Sequence, residues 1–338
     1  MVNGSRPRAQ HNGGMPADPS ASAEPGVMAV VLTFNAPDAT EVCLRSIAAQ
    51  AAPVDAVLVV DNASVPPFVA GAGIAGGPAL EVLRLAENGG PAGGYAAGLR
   101  AFLESRHAWV WLVDDDSSPR PDALAAQLRA AAACTEPTAF LSTMIDRDTG
   151  AEANTHGWCG ALIPRAIVEA VGVPIEELFW WAEDTEYLQW RIPRAGFGLE
   201  RCADAVVDVS FRRAERAKPP WKFYYEARNQ VYFRLRIQRQ PVDGPPRRHL
   251  TVRVRCWRAL RTVGKLSGRA LLHEPDRRVR KLTMVVRGTV DGLRGRLGRT
   301  VAVDVADRPL PPDAGRRSGR RDSGGRPDPE QPLDLDEA

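Results

Sequence analysis

The sequence predicts an α/β protein with a Rossmann-like, mostly parallel sheet flanked by helices, and three observations lead there. Apolar runs rich in β-branched residues recur at Val27–Phe34, Ala56–Val60 and Trp109–Val113, with Leu80–Leu85 as a further strand; such runs suit strands buried on both faces. The segments between them are long enough for crossover helices, so neighbouring strands should be parallel. Each run ends in polar turn residues, at Asn35–Asp38, Asp61–Ser64, Glu87–Gly94 and Asp114–Asp116. That end of an open α/β sheet is where ligands bind.

Taken in order, residues 1–26 are mostly Gly, Pro, Ala, Ser and Asn and are expected to be disordered. After the first strand, Ala39, Val42, Cys43, Ile47 and Ala48 trace the apolar stripe of a helix. A helix is expected from near Tyr95, and another from near Pro119 through Leu124, since Ser117–Asp122 cannot continue a ladder. Phe140–Met144 is a possible further strand, and a short helix should end near Val171. Trp221–Phe233 reads as an aromatic-rich helix. Two basic amphipathic helices follow Pro245-Pro246, the second carrying Leu282, Val286, Val290, Leu293 and Leu297 at spacings of three and four. From Asp304 the chain is again expected to be disordered. The expected organisation is a tail to 26, a main domain at 27–240, a basic helical extension at 241–303 and a tail at 304–338.

The 338 residues are 44% apolar and 25% charged, ordinary for a globular protein. No run of about 18 apolar residues predicts a membrane-spanning helix, and the first 26 residues lack the plan of a signal peptide. Five scattered cysteines, odd in number and without metal spacing, suit reduced thiols in the cytoplasm. The net charge is only +3, yet residues 251–300 hold 14 Lys/Arg against Glu274, Asp276 and Asp291. A basic helical region on an otherwise acidic body points to an anionic membrane surface; a solvated helix packed on the main domain is the plainer reading. With one Trp and no stacking series, the region is not expected to bind nucleic acid.

Three stretches carry chemistry. The Trp109–Val113 strand runs into Asp114-Asp115-Asp116, whose mutual repulsion is tolerable in water or around a cation; alternatively Asp116, Ser117 or Ser118 caps the next helix. Glycines in the Asn88–Gly94 loop could bring backbone N–H groups to a phosphate ahead of a helix N-terminus, or could form an ordinary turn. Leu178–Arg191 gathers Trp180, Trp181 and Trp190 beside Glu183, Asp184 and Glu186. Aromatic faces stack on sugars and raise neighbouring carboxyl pKa values; the alternative is a helix burying Trp180, Tyr187 and Trp190.

Together these motifs resemble the inverting glycosyltransferases of family 2, with the GT-A fold. More narrowly they resemble bacterial rhamnosyltransferases and actinobacterial galactofuranosyltransferases. The resemblance covers about Val27–Arg234 and rests on Val30–Asn35, Val59–Ser64, Glu87–Tyr95, Trp109–Asp116, Gly157–Ile163, Trp181–Tyr187 and Tyr224–Asn229. It implies that Thr33 and Asn35 line the nucleotide pocket and that Asp61 accepts from the base. Asn88, Gly89, Gly90, Gly93 and Gly94 would lie on the nucleoside diphosphate, with Asp114 and Asp115 also on the donor. Asp114 and Asp116 match an Asp-x-Asp metal motif for Mg²⁺ or Mn²⁺, and Asp184 matches the catalytic base. Trp158, Gly160, Trp180, Trp181 and Glu183 are candidates for the donor or acceptor sugar. Many relatives carry a further metal-binding His after the last strand; here the slot reads Val207-Asp208-Val209-Ser210-Phe211. Either Asp208 substitutes, or the metal is held by Asp116, phosphates and water.

The expected activity is sugar transfer from a UDP- or dTDP-linked donor to a glycan or lipid-linked acceptor of the cell envelope. The protein would work in the cytoplasm, peripherally on the inner face of the plasma membrane. A non-catalytic nucleotide-sugar or glycan-binding protein on the same scaffold is the alternative.

Overall fold

The computed structural model describes residues 24–71, 77–153, 157–210, 218–239 and 251–303. Most of both expected tails and the expected boundary at 240/241 lie outside these residues. Glu24–Gly26, expected in the first tail, instead open the first strand.

The elements run β1 (Glu24–Thr33), α1 (Pro37–Ala48), β2 (Ala56–Asp61), β3 (Ala79–Arg84), α2 (Gly90–Glu104), β4 (His107–Asp114), β5 (Ser117–Pro119) and α3 (Ala123–Ala133). They continue with β6 (Thr138–Asp146), β7 (Ala161–Pro164), α4 (Arg165–Val171), a π-helical stretch at Thr185–Arg191, α5 (Ile192–Arg194) and β8 (Gly198–Val209). The last are α6 (Pro220–Leu235), α7 (Val252–Gly268) and α8 (Arg278–Arg294). The strands form one sheet in the order β3-β2-β1-β4-β7-β6-β8-β5. The β3-β2-β1-β4 half is parallel, as the apolar runs predict. β7 is antiparallel to both β4 and β6, while β6 and β8 are parallel.

Alternation along the central strands feeds two cores. On one face Val30, Leu32, Val110 and Leu112 meet Tyr95, Leu99 and Phe102 of α2, with Ile167 of α4 and Tyr187 beyond. On the other, Ala29, Val31, Trp111 and Val113 meet Cys43, Leu44 and Ile47 of α1 and Leu124 of α3. Gly98 lets α2 lie close to the sheet: a Cβ there would stand 2.5 Å from Val30 Cγ1.

Two local expectations change. Ser117–Pro119 does form a ladder, antiparallel to β8 through Ser118 and Asp208. α3 consequently starts only at Ala123, and none of Asp116, Ser117 or Ser118 caps it. Leu178–Arg191 is not one α-helix. A short 3₁₀ turn at Glu176–Leu178 leads into Phe179, Trp181 and Ala182, all at positive φ, and then into the π-helical stretch.

The basic extension is helical, as expected, and packs on α6. Its amphipathicity is turned outward, however. α8 buries Lys281, Val285, Gly288, Asp291 and Gly292, while Val279, Val286, Val290 and Leu293 are exposed. α7 likewise buries Arg255 and Arg258 and exposes Val252, Trp257 and Leu260. No helix among the described residues is long and apolar enough to cross a membrane.

Candidate active site

The site is built where the parallel half of the sheet meets its antiparallel half. β4 delivers Asp114–Asp116 at its C-terminal end. β7 pairs with β4 through Ala161 and Leu112, and Gly160, at φ 81°, turns the chain into it. Gly160 N–H donates to Leu112 O at 2.9 Å. A Cβ on Gly160 would meet Ser142 Oγ at 2.5 Å, so this turn takes no side chain. The result sets Cys159 against the acids, its thiol 3.4 Å from Asp114 Oδ2.

Asp184 comes from the strained aromatic turn. Its Oδ1 accepts from Thr185 N at 2.6 Å, and its Oδ2 lies 3.5 Å from where a side chain on Gly157 would begin. Gly157 thus brings the chain leading to Cys159 beside Asp184. Non-glycine residues at positive φ store local strain, and three hydrogen bonds hold this turn. Asn229 Nδ2 donates to the carbonyls of Leu178, Trp180 and Trp181 at 2.8, 2.8 and 2.7 Å. Arg228 adds a bond to Leu178 O at 2.8 Å.

The electrostatics bind these acids into one cluster. Burial pushes Asp114 up to about 6; the charges of Asp115 and Asp184 add to the rise, while hydrogen bonds from Tyr95 and Cys159 oppose it. Tyr95 Oη donates to Asp114 Oδ1 at 2.5 Å. Asp184 is also pushed up to about 6 by burial, against the Thr185 hydrogen bonds. Glu183 is raised by burial and then by the Asp184 charge, and its buried Oε2 has no hydrogen-bond partner.

This donor set fits a divalent cation. One oxygen each of Asp114 and Asp116 and the Cys159 sulfur lie within 4.8 Å of one another, a span that one ion can bridge, and a cation would relieve the carboxylate repulsion. Asp208 does not join them: its carboxylate is bound in two places by the Arg120 guanidinium, at 2.9 and 3.0 Å. The reason is the β5–β8 ladder, which aligns Asp208 with Ser118 and leaves Arg120 just beyond it.

Other expected residues divide by burial. Trp158 is a core residue, 3% exposed and packed on Tyr95 and Tyr187 at ring distances of 4.6 and 5.8 Å; it offers no sugar a face. Trp180 and Trp181 are partly exposed and adjacent, 5.1 Å between rings. Asp61 is fully buried and accepts from Ser64 N, Phe68 N and Arg84. Burial raises its pKa, but these hydrogen bonds outweigh that and leave it lowered. Its carboxylate therefore holds the loop after β2 and does not lie open to a base. Thr33 is buried as well, its hydroxyl 2.6 Å from that of Thr40. Asn35 Oδ1 accepts from Val65 N at 2.6 Å, and Asp115 accepts from Phe34 N at 3.3 Å, joining the ends of β1 and β4.

The glycine segment is shorter as a loop than expected, because Gly90–Gly94 already form the first turn of α2. Asn88 Oδ1 accepts from Gly90 N at 2.8 Å. Gly90 lies against Phe179 O, and Gly94 against Leu32, too closely for any side chain. Asn62, which the sequence marked only as the end of a strand, organises the turn by accepting from Gly89 N and donating to Gly90 O. Asn62, Cys159 and Asn229 are thus the positioning residues that sequence reasoning did not single out.

The sheet with its antiparallel crossing has the fold of the GT-A glycosyltransferases. Residues 28–157 match the family model described as glycosyl transferase family 2. It is 29% identical over 209 residues to galactofuranosyltransferase GlfT1 of Mycobacterium tuberculosis, covering 53% of this chain and 68% of that protein. Among solved structures it is similar to the Pyrobaculum calidifontis mannosyltransferase PcManGT in complex with GDP-Man and Mn²⁺. The TM-score there is 0.53 at 18% identity, over 82% of this chain and 89% of that one. Residues 1–349 of TarS from S. aureus, in complex with UDP-GlcNAc, give a TM-score of 0.53 at 16% identity, over 79% and 81% of the two chains.

Proposed function

We propose that this chain is an inverting, metal-dependent glycosyltransferase that moves galactofuranose, or failing that rhamnose, from a UDP- or dTDP-linked donor to a lipid-linked glycan of the cell envelope. The observation that supports the reading is that Asp184 lies near enough to Asp114 for its charge to act on that carboxyl. The relative GlfT1 supports galactofuranose as the first donor to try.

In this reading Asp184 takes the proton of an acceptor hydroxyl while that oxygen attacks the anomeric carbon opposite the leaving diphosphate. One displacement inverts the configuration, with no covalent enzyme intermediate. A pKa of about 6 leaves Asp184 mostly ionised at neutral pH and still basic enough for the task. Thr185 fixes the carboxylate through Oδ1, leaving Oδ2 beside Gly157. Trp180 and Trp181 would stack on sugar, and the first turn of α2 would face the diphosphate. A cation held by Asp114 and Asp116 would offset the charge building on the departing diphosphate.

The outward apolar residues of α7 and α8, set among arginines, suit an anionic bilayer surface from which a lipid-linked acceptor is presented. The site of action would then be the cytoplasmic face of the plasma membrane. Incubation with UDP-galactofuranose or dTDP-rhamnose, with and without an envelope lipid extract, tests the reading. Acceptor-dependent release of the nucleoside diphosphate is expected. Donor binding with no release under any condition would make the chain a nucleotide-sugar-binding protein.

A further inference from the structure

We infer that Cys159 is a direct ligand of the catalytic cation, completing a site of two carboxylates and one thiolate with Asp114 and Asp116. The inference rests on the metal-dependent reading above and adds a ligand to it. The slot after the last strand, where a further ligand is expected, is empty of one among the described residues because Asp208 is bound to Arg120. The Cys159 sulfur instead stands with the carboxylate oxygens of Asp114 and Asp116, all within 4.8 Å of one another.

Backbone geometry holds the thiol there. Gly160 turns at φ 81° immediately after it, and the Gly160 N–H bond to Leu112 O ties that turn to the strand ending in Asp114. A second observation points the same way. Ser117 Oγ is fully buried, makes no hydrogen bond of good geometry, and lies close enough to the Cys159 sulfur to act on it. A buried hydroxyl without a partner is costly. A sulfur carrying negative charge, as in a metal-bound thiolate, accepts a stronger hydrogen bond than the neutral thiol that donates to Asp114.

Metal binding would displace that thiol proton to solvent: the S–H bond breaks, the sulfur pair becomes a metal bond, and no electrons change hands. Thiolate is a soft donor and carboxylate a hard one, so the mixed set should favour Mn²⁺ or Co²⁺ over Mg²⁺. A site of carboxylates, phosphates and water alone would lack that bias.

The test is titration with Co²⁺ in the presence of UDP, followed by the near-ultraviolet sulfur-to-cobalt charge-transfer band. The exposed Cys256 is replaced by Ser in every protein used. One Co²⁺ per chain with a charge-transfer band is expected, together with loss of the band in Cys159→Ser. Calorimetry should show Mn²⁺ affinity falling roughly tenfold or more in Cys159→Ser, with Mg²⁺ affinity little changed. One Co²⁺ bound without the band overturns the inference from the otherwise unaltered site, whether or not the Ser variant folds. Mn²⁺ binding that withstands Cys159→Ser but is lost in Asp116→Ala removes sulfur while leaving the metal-dependent reading intact. If neither metal nor UDP binds, both fail together.

Discussion

Asn229 donates its side-chain amide to the carbonyl of Trp181 at 2.7 Å, three residues before Asp184. The same amide reaches the carbonyls of Leu178 and Trp180, so one α6 side chain gathers the backbone of a turn with Phe179, Trp181 and Ala182 at positive φ.

Replacing Asn229 by Ala removes the donor that these carbonyls share and should cost about 1–3 kcal/mol of stability. Loosening the turn displaces Asp184, so kcat should fall by roughly a hundredfold with little change in donor KM. Thermal unfolding and steady-state kinetics on one preparation would check the pairing of effects. Wild-type kcat in Asn229→Ala would mean that the turn holds its shape without this amide.

Asp184→Asn keeps the size of the side chain and removes its basicity. Transfer should drop by about 10²–10⁴-fold, while donor binding measured by calorimetry stays within a few-fold of wild type. Equal losses of binding and turnover would place Asp184 on the donor and not on the acceptor proton.

The elevated carboxyls give pH dependence a definite sign. Asp184, near 6, must be ionised to act as a base, so kcat should fall as pH drops through about 6. Stability should move oppositely in metal-free protein. Asp114 and Asp184 hold protons in the folded state up to about 6, above their ordinary value of 3.8, so ionising them opposes folding. Their contribution should make the melting temperature decline as pH rises from about 4 to 7, and Asp114→Asn should flatten that decline. A melting profile unchanged by Asp114→Asn would contradict this assignment.

The outward faces of α7 and α8 should bind vesicles containing phosphatidylglycerol and much less those of phosphatidylcholine alone. Flotation would measure this, and Trp257 emission should shift to the blue on binding. A Trp257→Glu, Leu260→Glu double variant should lose flotation while keeping its melting temperature. Equal binding of variant and wild type would assign these residues no part in membrane contact.

The first half of the sheet was legible because its signal is local. Val27–Phe34, Ala56–Val60 and Trp109–Val113 are apolar whichever face they turn, and the crossovers between them make them parallel. β8 was not legible: Gly198–Val209 carries Glu200, Arg201, Asp204 and Asp208, and its place depends on pairing with β6. The acids of the site could be named through the family resemblance. Trp158 could not be told from Trp180 or Trp181, because burial at 158 follows from the Gly160 turn and the β4–β7 pairing. Asp61 and Thr33 share that limit, since their partners Arg84, Phe68 and Thr40 are chosen by the folded loops. The stripe on α8 was read correctly as amphipathic, but its direction was set by Gly288 and Gly292.

Those two glycines bring α8 against the main chain of α6: any side chain at 288 would strike Tyr224 O, and any at 292 would strike Arg228 O. Arg228 in turn grips Leu178 O, at the root of the strained turn. At those two points backbone rests on backbone, beside a side-chain layer in which Val285 packs with Phe223 and Ala227. A load on the extension is therefore passed, through α6 and Arg228, to the base of the segment that carries Asp184.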